Sequence, residues 1–274
     1  MNKLIDDFSR IEHTGWERVA GKYDDVWASL TKQFIDPLLR TIDISPGISV
    51  LDVACGPGYV AAAAQQLGAI STGVDFSREM ILQARMLNPG IEFIECDAQN
   101  LPFTPETFER VSMNFGLLHF THPEKGLSEA CRVLKRGGKL GFTLWAKPED
   151  NPGARIMNDA IEACADLSIK LPEGPPYFLY ANKNECQRIL QAVGFLNTSV
   201  SFETACVDWE VPSPQYYFEA ELNAGVRTAA LLALQSPDRL SRIRAAAEKS
   251  VQDYATRDGF AIPMTAYIVT AAKE

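Results

Sequence analysis

Between Ile48 and Trp145 the chain alternates short apolar runs with amphipathic stretches of helical length. The runs "ISVLDVA", "ISTGVD", "IEFIE", "RVSMNF" and "KLGFTLW" have the length and the β-branched or aromatic content of strands. A repeated strand and helix rhythm predicts a doubly wound α/β fold, with a mostly parallel sheet covered by helices on both faces. The helix after the second strand is the best marked, with Ser77 as its N-cap and Phe76 placed to staple against Ile81. Another helix opens at "NKNE", where Asn182 and Glu185 have capping-box spacing, and it stops at Gly194. The late stretches "TSVSFETACVDW" and "IPMTAYIVTAAK" read as two more strands, a hairpin-like pair with one member antiparallel.

Two segments flank this rhythm. Residues 1–45, with Trp16, Tyr23 and Trp27, read as a helical N-terminal cap. Residues 210–259 read as a helical insertion and a substrate lid. The last helix of the insertion starts at Ser236-Pro237, and Leu240, Ile243, Ala247, Val251 and Tyr254 then form one face at spacings of three and four. Such a stripe is expected to pack inward. With no repeat and no flexible linker, residues 1–274 are expected to form a single domain.

Composition narrows the ligand class. The formal net charge is −9 and the basic residues are scattered, which points to a small-molecule substrate and away from nucleic acid. No stretch approaches the roughly 18 apolar residues of a membrane span, and the first residues lack an apolar signal core. A soluble, cytoplasmic protein with no integral membrane segment is the expectation. Cys55, Cys96, Cys131, Cys164, Cys186 and Cys206 form no C-x-x-C pair, so they read as reduced packing thiols and no metal site is expected.

The chemistry concentrates in "VLDVACGPGYVA", where an apolar strand runs into a glycine turn. Gly56 and Gly58 with Ala61 fit the loose dinucleotide fingerprint, which by itself admits a nicotinamide cofactor and a dehydrogenase. Asp52 opposes that reading, because an acid beside the turn repels a pyrophosphate and favours a cationic ligand. Asp75, seventeen residues beyond Gly58, closes the second strand where a carboxylate can accept from both ribose hydroxyls. Asp97 and Ala98 follow the third strand, placed to accept from an adenine amino group and to donate a backbone N–H to its ring.

These stretches, with "AGKYDDVW", "GVDFSREM", "ECDAQNLPF" and "NFGLLHFTHPEKGLSEACRVLKRGGKL", resemble a class I S-adenosylmethionine-dependent methyltransferase from about Trp16 to Trp145. The likeness is to the ubiquinone/menaquinone-biosynthesis methyltransferase-like group in particular. It implies a Rossmann-like seven-stranded sheet with an antiparallel last strand, and S-adenosyl-L-methionine as cofactor with S-adenosyl-L-homocysteine as product. It further implies that Asp52, Ala54, Gly56 and Gly58 surround the methionine part, with Asp75 and Phe76 at the ribose and adenine side. Met80, Asp97 and Ala98 would complete the adenine pocket, Asn114 and Phe115 would lie beneath the cofactor, and Tyr23 would close over its tail. Arg110 and Arg136 depart from the pattern, standing where many relatives carry an acid and a proline.

The acceptor side is less marked. His119 and His122 follow the fourth strand, and His119 is the candidate base for an acceptor proton, against the alternative of a satisfied polar residue. His122 precedes Pro123 and is placed to cap the next helix. Trp145, Tyr177 and Phe178 are either acceptor-lining or packing aromatics. Methyl transfer to a small molecule is the expected function; a non-catalytic module that binds the same cofactor is the alternative.

Overall fold

The computed structural model describes residues 7–274. In chain order come helices α1 (Asp7–Val26), α2 (Ala28–Thr31) and α3 (Ile35–Thr41), then β1 (Ser49–Val53), α4 (Tyr59–Gln66), β2 (Ile70–Asp75) and α5 (Arg78–Leu87). Next are β3 (Glu92–Glu95), β4 (Phe108–Asn114), α6 (Pro123–Val133), β5 (Leu134–Trp145), α7 (Pro152–Cys164) and α8 (Lys183–Ala192). The chain ends with β6 (Ser201–Val211), α9 (Pro214–Ala224), α10 (Arg227–Ala233), α11 (Pro237–Val251) and β7 (Phe260–Ala272). It divides into two compact units. One, the sheet unit, holds Thr31–Trp145, Pro175–Ala205 and Ala266–Glu274; the other, the helical unit, holds the residues up to Leu30, Ala146–Gly174 and Cys206–Thr265.

The seven-stranded sheet runs in the order β3-β2-β1-β4-β5-β7-β6. β1 is parallel to β2 on one side and to β4 on the other, β4 is parallel to β5, and β7 is antiparallel to β5. The doubly wound sheet with an antiparallel last strand is therefore present. Strand alternation divides the core: Val50 packs among Ile35, Leu39, Ile42, Val60 and Ala64, while Leu51 and Val53 join Val111, Met113, Leu127 and Leu190. The order reverses at β1, so a crevice opens outside the carboxyl ends of β1 and β4, where open α/β sheets place ligands.

Several local signals act as the sequence implies. Ser77 caps α5, its Oγ accepting from the Met80 N–H at 3.2 Å. Asn182 caps α8 through the N–H groups of Asn184 and Glu185 at 3.1 and 3.2 Å. Glu185 turns instead to Arg188, at 3.0 and 2.6 Å, and the helix ends at Ala192, two residues before Gly194. His122 stands at the start of α6, but its side chain makes no capping bond; its backbone N–H donates to Gln99 Oε1 at 2.7 Å. β5 begins at Leu134 rather than Lys139, and a register shift between Phe108 and Arg110 takes up the turn residues.

In the helical unit, Ile243, Ala247 and Val251 of α11 are buried, with α7 and α9 packed against that helix, as the stripe predicts. The expected N-terminal cap is helical where described, but α1 belongs to this unit and α3 to the other; residues 1–6 lie outside the described residues. Arg227 at the start of α10 reaches α1, its Nε 2.5 Å from the buried carboxylate of Glu12 and its guanidinium over the Phe8 ring at 4.5 Å. Removing one member of a buried pair strands the other charge, so Arg227→Met is expected to cost about 3–5 kcal/mol. Urea unfolding checks this, and adding Glu12→Gln to the same chain should recover much of the loss.

Candidate functional site

The crevice begins at Asp52, the fourth residue of β1 and 1% exposed. One carboxylate oxygen accepts from the Ala61 N–H in the first turn of α4 at 3.2 Å, the other from Ser112 Oγ on β4 at 3.0 Å. First-turn N–H groups have no partner within their helix, so Asp52 serves α4 as a cap delivered from the neighbouring strand. Burial pushes its pKa up to about 7, against the pull of the Ser112 and Ala61 hydrogen bonds and with help from the nearby Asp75 charge. The oxygens are thus occupied inside the protein, and Asp52 holds the loop from beneath.

The loop itself winds through left-handed backbone at Ala54 (φ 54°), Gly56 (φ 51°) and Gly58 (φ 84°). At Gly58 a Cβ would also stand 2.6 Å from the Phe93 ring, so glycine is required by space as well as by conformation. Asp75, at the end of β2 and buried, accepts from the Gly56 N–H at 2.9 Å through Oδ2 and from the Ser77 N–H at 2.9 Å through Oδ1. One side chain therefore clasps the glycine loop to the start of α5, a role that sequence reasoning missed. Met80 is buried below, its sulfur 3.9 Å from where a Gly56 Cβ would lie, and Phe76 is half-buried. The Cys96 N–H donates to the Asp75 carbonyl at 2.9 Å, so Asp97 comes directly beyond the end of β2. Asp97 is exposed, its Oδ1 accepting from the backbone and side chain of Gln99 at 2.8 and 3.0 Å, and Ala98 beside it is buried.

At the end of β4, Asn114 Oδ1 accepts from Thr143 Oγ1 at 2.7 Å and its Nδ2 donates to the Thr31 carbonyl at 3.2 Å. Thr143 also accepts from the Phe115 N–H at 2.8 Å. Thr143 is a second residue that sequence reasoning missed; only the Asn114 to Thr143 strand register reveals it. Phe115 is left-handed (φ 59°), and its ring stacks on Trp145 at 4.1 Å with Phe34 edge-on to both. His119 ends a short turn, half-buried, with its ring edge-on to Tyr177 at 6.4 Å, and Tyr177 meets Phe178 at 5.0 Å. The acceptor-side residues read from sequence thus separate into a His119, Tyr177 and Phe178 set and a Trp145 that joins Phe115. Tyr23 lies on α1 in the helical unit, 6.0 Å from the Trp16 ring.

This donor set discriminates among ligands. Asp75 at the end of β2 and Asp97 just beyond β3 disfavour a pyrophosphate and offer acceptors to hydroxyl and amino groups. Burial pushes the Cys96 thiol up to about 12, helped by Asp97 and Asp75, so it is no nucleophile at neutral pH. Among the described residues no cluster of His, Cys, Asp and Glu has a metal-binding arrangement, and no helix is long and apolar enough to cross a membrane.

A family model described as a methyltransferase domain matches residues 51–142. A demethylmenaquinone methyltransferase of Corynebacterium kroppenstedtii is 34% identical over 186 residues, which cover 65% of this chain and 77% of that protein. Among solved structures, the YcgJ protein of Bacillus subtilis superposes with a TM-score of 0.58 at 18% identity, over 88% of this chain and 98% of that one. A Haemonchus contortus phosphoethanolamine N-methyltransferase, solved with phosphomonomethylethanolamine and S-adenosylhomocysteine, gives 0.59 at 18% identity, over 99% of this chain and 61% of its own.

The buried Asp52 generates a pH dependence. With its pKa raised from 3.8 to about 7, the folded protein keeps a proton that the unfolded chain has already released in that interval. The contribution of Asp52 to stability is therefore greatest at low pH, falls as pH rises through this window, and is constant above it. Asp52→Asn has no such titration. The difference in unfolding free energy between wild type and Asp52→Asn should drop from about pH 5 to about pH 8 in urea titrations; a constant difference would assign Asp52 an ordinary carboxylate pKa.

Proposed function

Because this chain belongs to the class I S-adenosylmethionine-dependent methyltransferase family, we propose that it binds S-adenosyl-L-methionine at the β1, β2 and β3 crevice and methylates a small-molecule acceptor. The observation that carries the reading is the Asp75 clasp. Its carboxylate fixes Gly56 and Ser77 at the end of β2, and there it is proposed to receive the two ribose hydroxyls. Asp97 takes the adenine amino group, the Ala98 N–H meets the ring, and Met80 and Phe76 pack beside it. The loop at Ala54, Gly56 and Gly58, held by Asp52, surrounds the methionine tail, with Asn114 and Phe115 beneath.

When bound, the cofactor supplies a methyl group made electrophilic by its sulfonium. What remains for the protein is to align the acceptor with that methyl group and keep water out. His119 is the candidate base for an acceptor that loses a proton. The protein is proposed to work in the cytoplasm, without nucleic acid.

Thermal unfolding, labelled methyl transfer and calorimetry test this reading. S-adenosylhomocysteine is expected to raise the unfolding temperature through native-state binding, worth about 2.7 kcal/mol at a hundredfold excess over its Kd, whereas NAD does little. Equal stabilisation by NAD alone would overturn the cofactor assignment, and cofactor binding without labelled methyl transfer to any metabolite of a cell extract would favour a binding module. Asp75→Ala is expected to weaken S-adenosylhomocysteine roughly ten- to a hundredfold in calorimetry, from the loss of charged hydrogen bonds worth about 1.5–3 kcal/mol. It should also lower the unfolding temperature of the free protein, because the Gly56 and Ser77 N–H groups lose their acceptor.

A further inference from the structure

One side chain joins the segment after β3 to the segment after β4. Gln99 donates to Asp97 Oδ1 from its backbone N–H at 2.8 Å and from Nε2 at 3.0 Å. Both bonds fall on that oxygen, and among the described residues Oδ2 takes none. Asp97 is exposed, so without this hold its carboxylate would turn among rotamers. The other end of the same amide, Oε1, accepts from the His122 N–H at 2.7 Å. That N–H needs an acceptor from outside its helix. His122 is the N-cap of α6, Pro123 keeps it out of the helical conformation, and Lys125, at the position that would complete a capping box, has no acceptor in its side chain.

Both segments that Gln99 joins are seated on α6. Farther along that helix Glu129 accepts from the Leu101 N–H at 2.7 Å, and Arg132 donates to the Leu101 and Phe103 carbonyls at 3.0 and 2.7 Å, which fixes the loop just beyond Gln99. The turn that carries His119 is held to the start of the helix by Phe120, whose ring would stand 2.5 Å from a Cβ at Gly126. Between two anchored segments, a planar amide with its donor on one and its acceptor on the other acts as a strut, and hydrogen-bonded chains of this kind carry coupling between sites. We propose that Gln99 is a positioning residue that couples engagement of the adenine amino group at Asp97 to the placement of the His119–His122 turn, an assignment that rests on the cofactor reading above. A cofactor held by its adenine thereby sets where His119 stands before the acceptor arrives.

The test removes either the strut or the group it serves. Calorimetry is run on wild type, Gln99→Leu and Gln99→Glu with S-adenosylhomocysteine and with its deamino analogue, in which hydrogen replaces the adenine amino group. Gln99→Leu is expected to weaken S-adenosylhomocysteine roughly two- to tenfold, the worth of about one hydrogen bond, and to leave the analogue unchanged, which also shows that the variant is folded. Gln99→Glu keeps an acceptor for His122 but no donor for Asp97, and it should lose at least as much. Proton NMR then reads the coupling, since the chain's three histidines can be assigned by single substitutions. S-adenosylhomocysteine should shift the His119 ring signals differently from the analogue in wild type, and to the same extent as the analogue in Gln99→Leu. Equal weakening of both ligands or of neither, or a His119 difference that is absent from wild type or survives in Gln99→Leu, overturns the assignment of Gln99 while the cofactor reading stands. Wild type that binds neither ligand overturns the cofactor reading, and the assignment with it.

Discussion

The glycine loop keeps its shape because a buried carboxylate on β1 is bonded in two directions at once, to Ala61 at the start of α4 and to Ser112 on β4. The chain must leave a strand, turn sharply and enter a helix within a few residues, and it does so through left-handed backbone at Ala54, Gly56 and Gly58. Glycine meets that demand freely, but Ala54 bears a steric cost of about 1–2 kcal/mol. Asp52 from below and Asp75 from the side supply hydrogen bonds of at least that size, so the strained turn is the favoured one. A loop held this firmly presents its backbone in one arrangement before any ligand arrives.

The same device recurs one strand away. Phe115, at the end of β4, is the second left-handed residue beside the crevice that is not glycine, and there a hydroxyl rather than a carboxylate does the holding. Thr143 reaches from β5 to Asn114 and Phe115 together, and Asn114 passes the constraint on to Thr31. Strained backbone at the ends of β1 and β4 therefore frames the point where strand order reverses. The polar groups that enforce it come from strands whose own positions are fixed by apolar packing on both faces.

This arrangement explains which parts were legible in the sequence. β2 is read to the residue, because "ISTGVD" lies between a turn and a well-capped helix. The start of β5 is not, since Lys135 to Gly138 carry no strand pattern and are accommodated by a register shift in the sheet. Asp52, Asp75 and Asp97 announce themselves by spacing, yet spacing says nothing of where their oxygens point, so the inward bonding of Asp52 and the clasp of Asp75 had no signal. Thr143 was silent for a related reason: its hold on Asn114 and Phe115 arises from strand register, which leaves no motif.

The N-terminal helices show the limit from another side. Their amphipathic pattern predicts helix, but pattern alone does not say that α1 would join Phe8 and Glu12 to Arg227 in one unit while α3 joined Val50 and Val60 in the other. The helical unit is built mostly by stripes such as Ile243, Ala247 and Val251, which many sequences satisfy equally well. The cofactor side is different: each acid and glycine there has a specific oxygen, N–H or φ angle to provide. Because the reactive methyl group arrives already activated on its carrier, the acceptor side needs shape more than a fixed set of chemical groups. The family match covers residues 51–142, the stretch that holds the glycine loop, Asp75, Asp97 and Asn114.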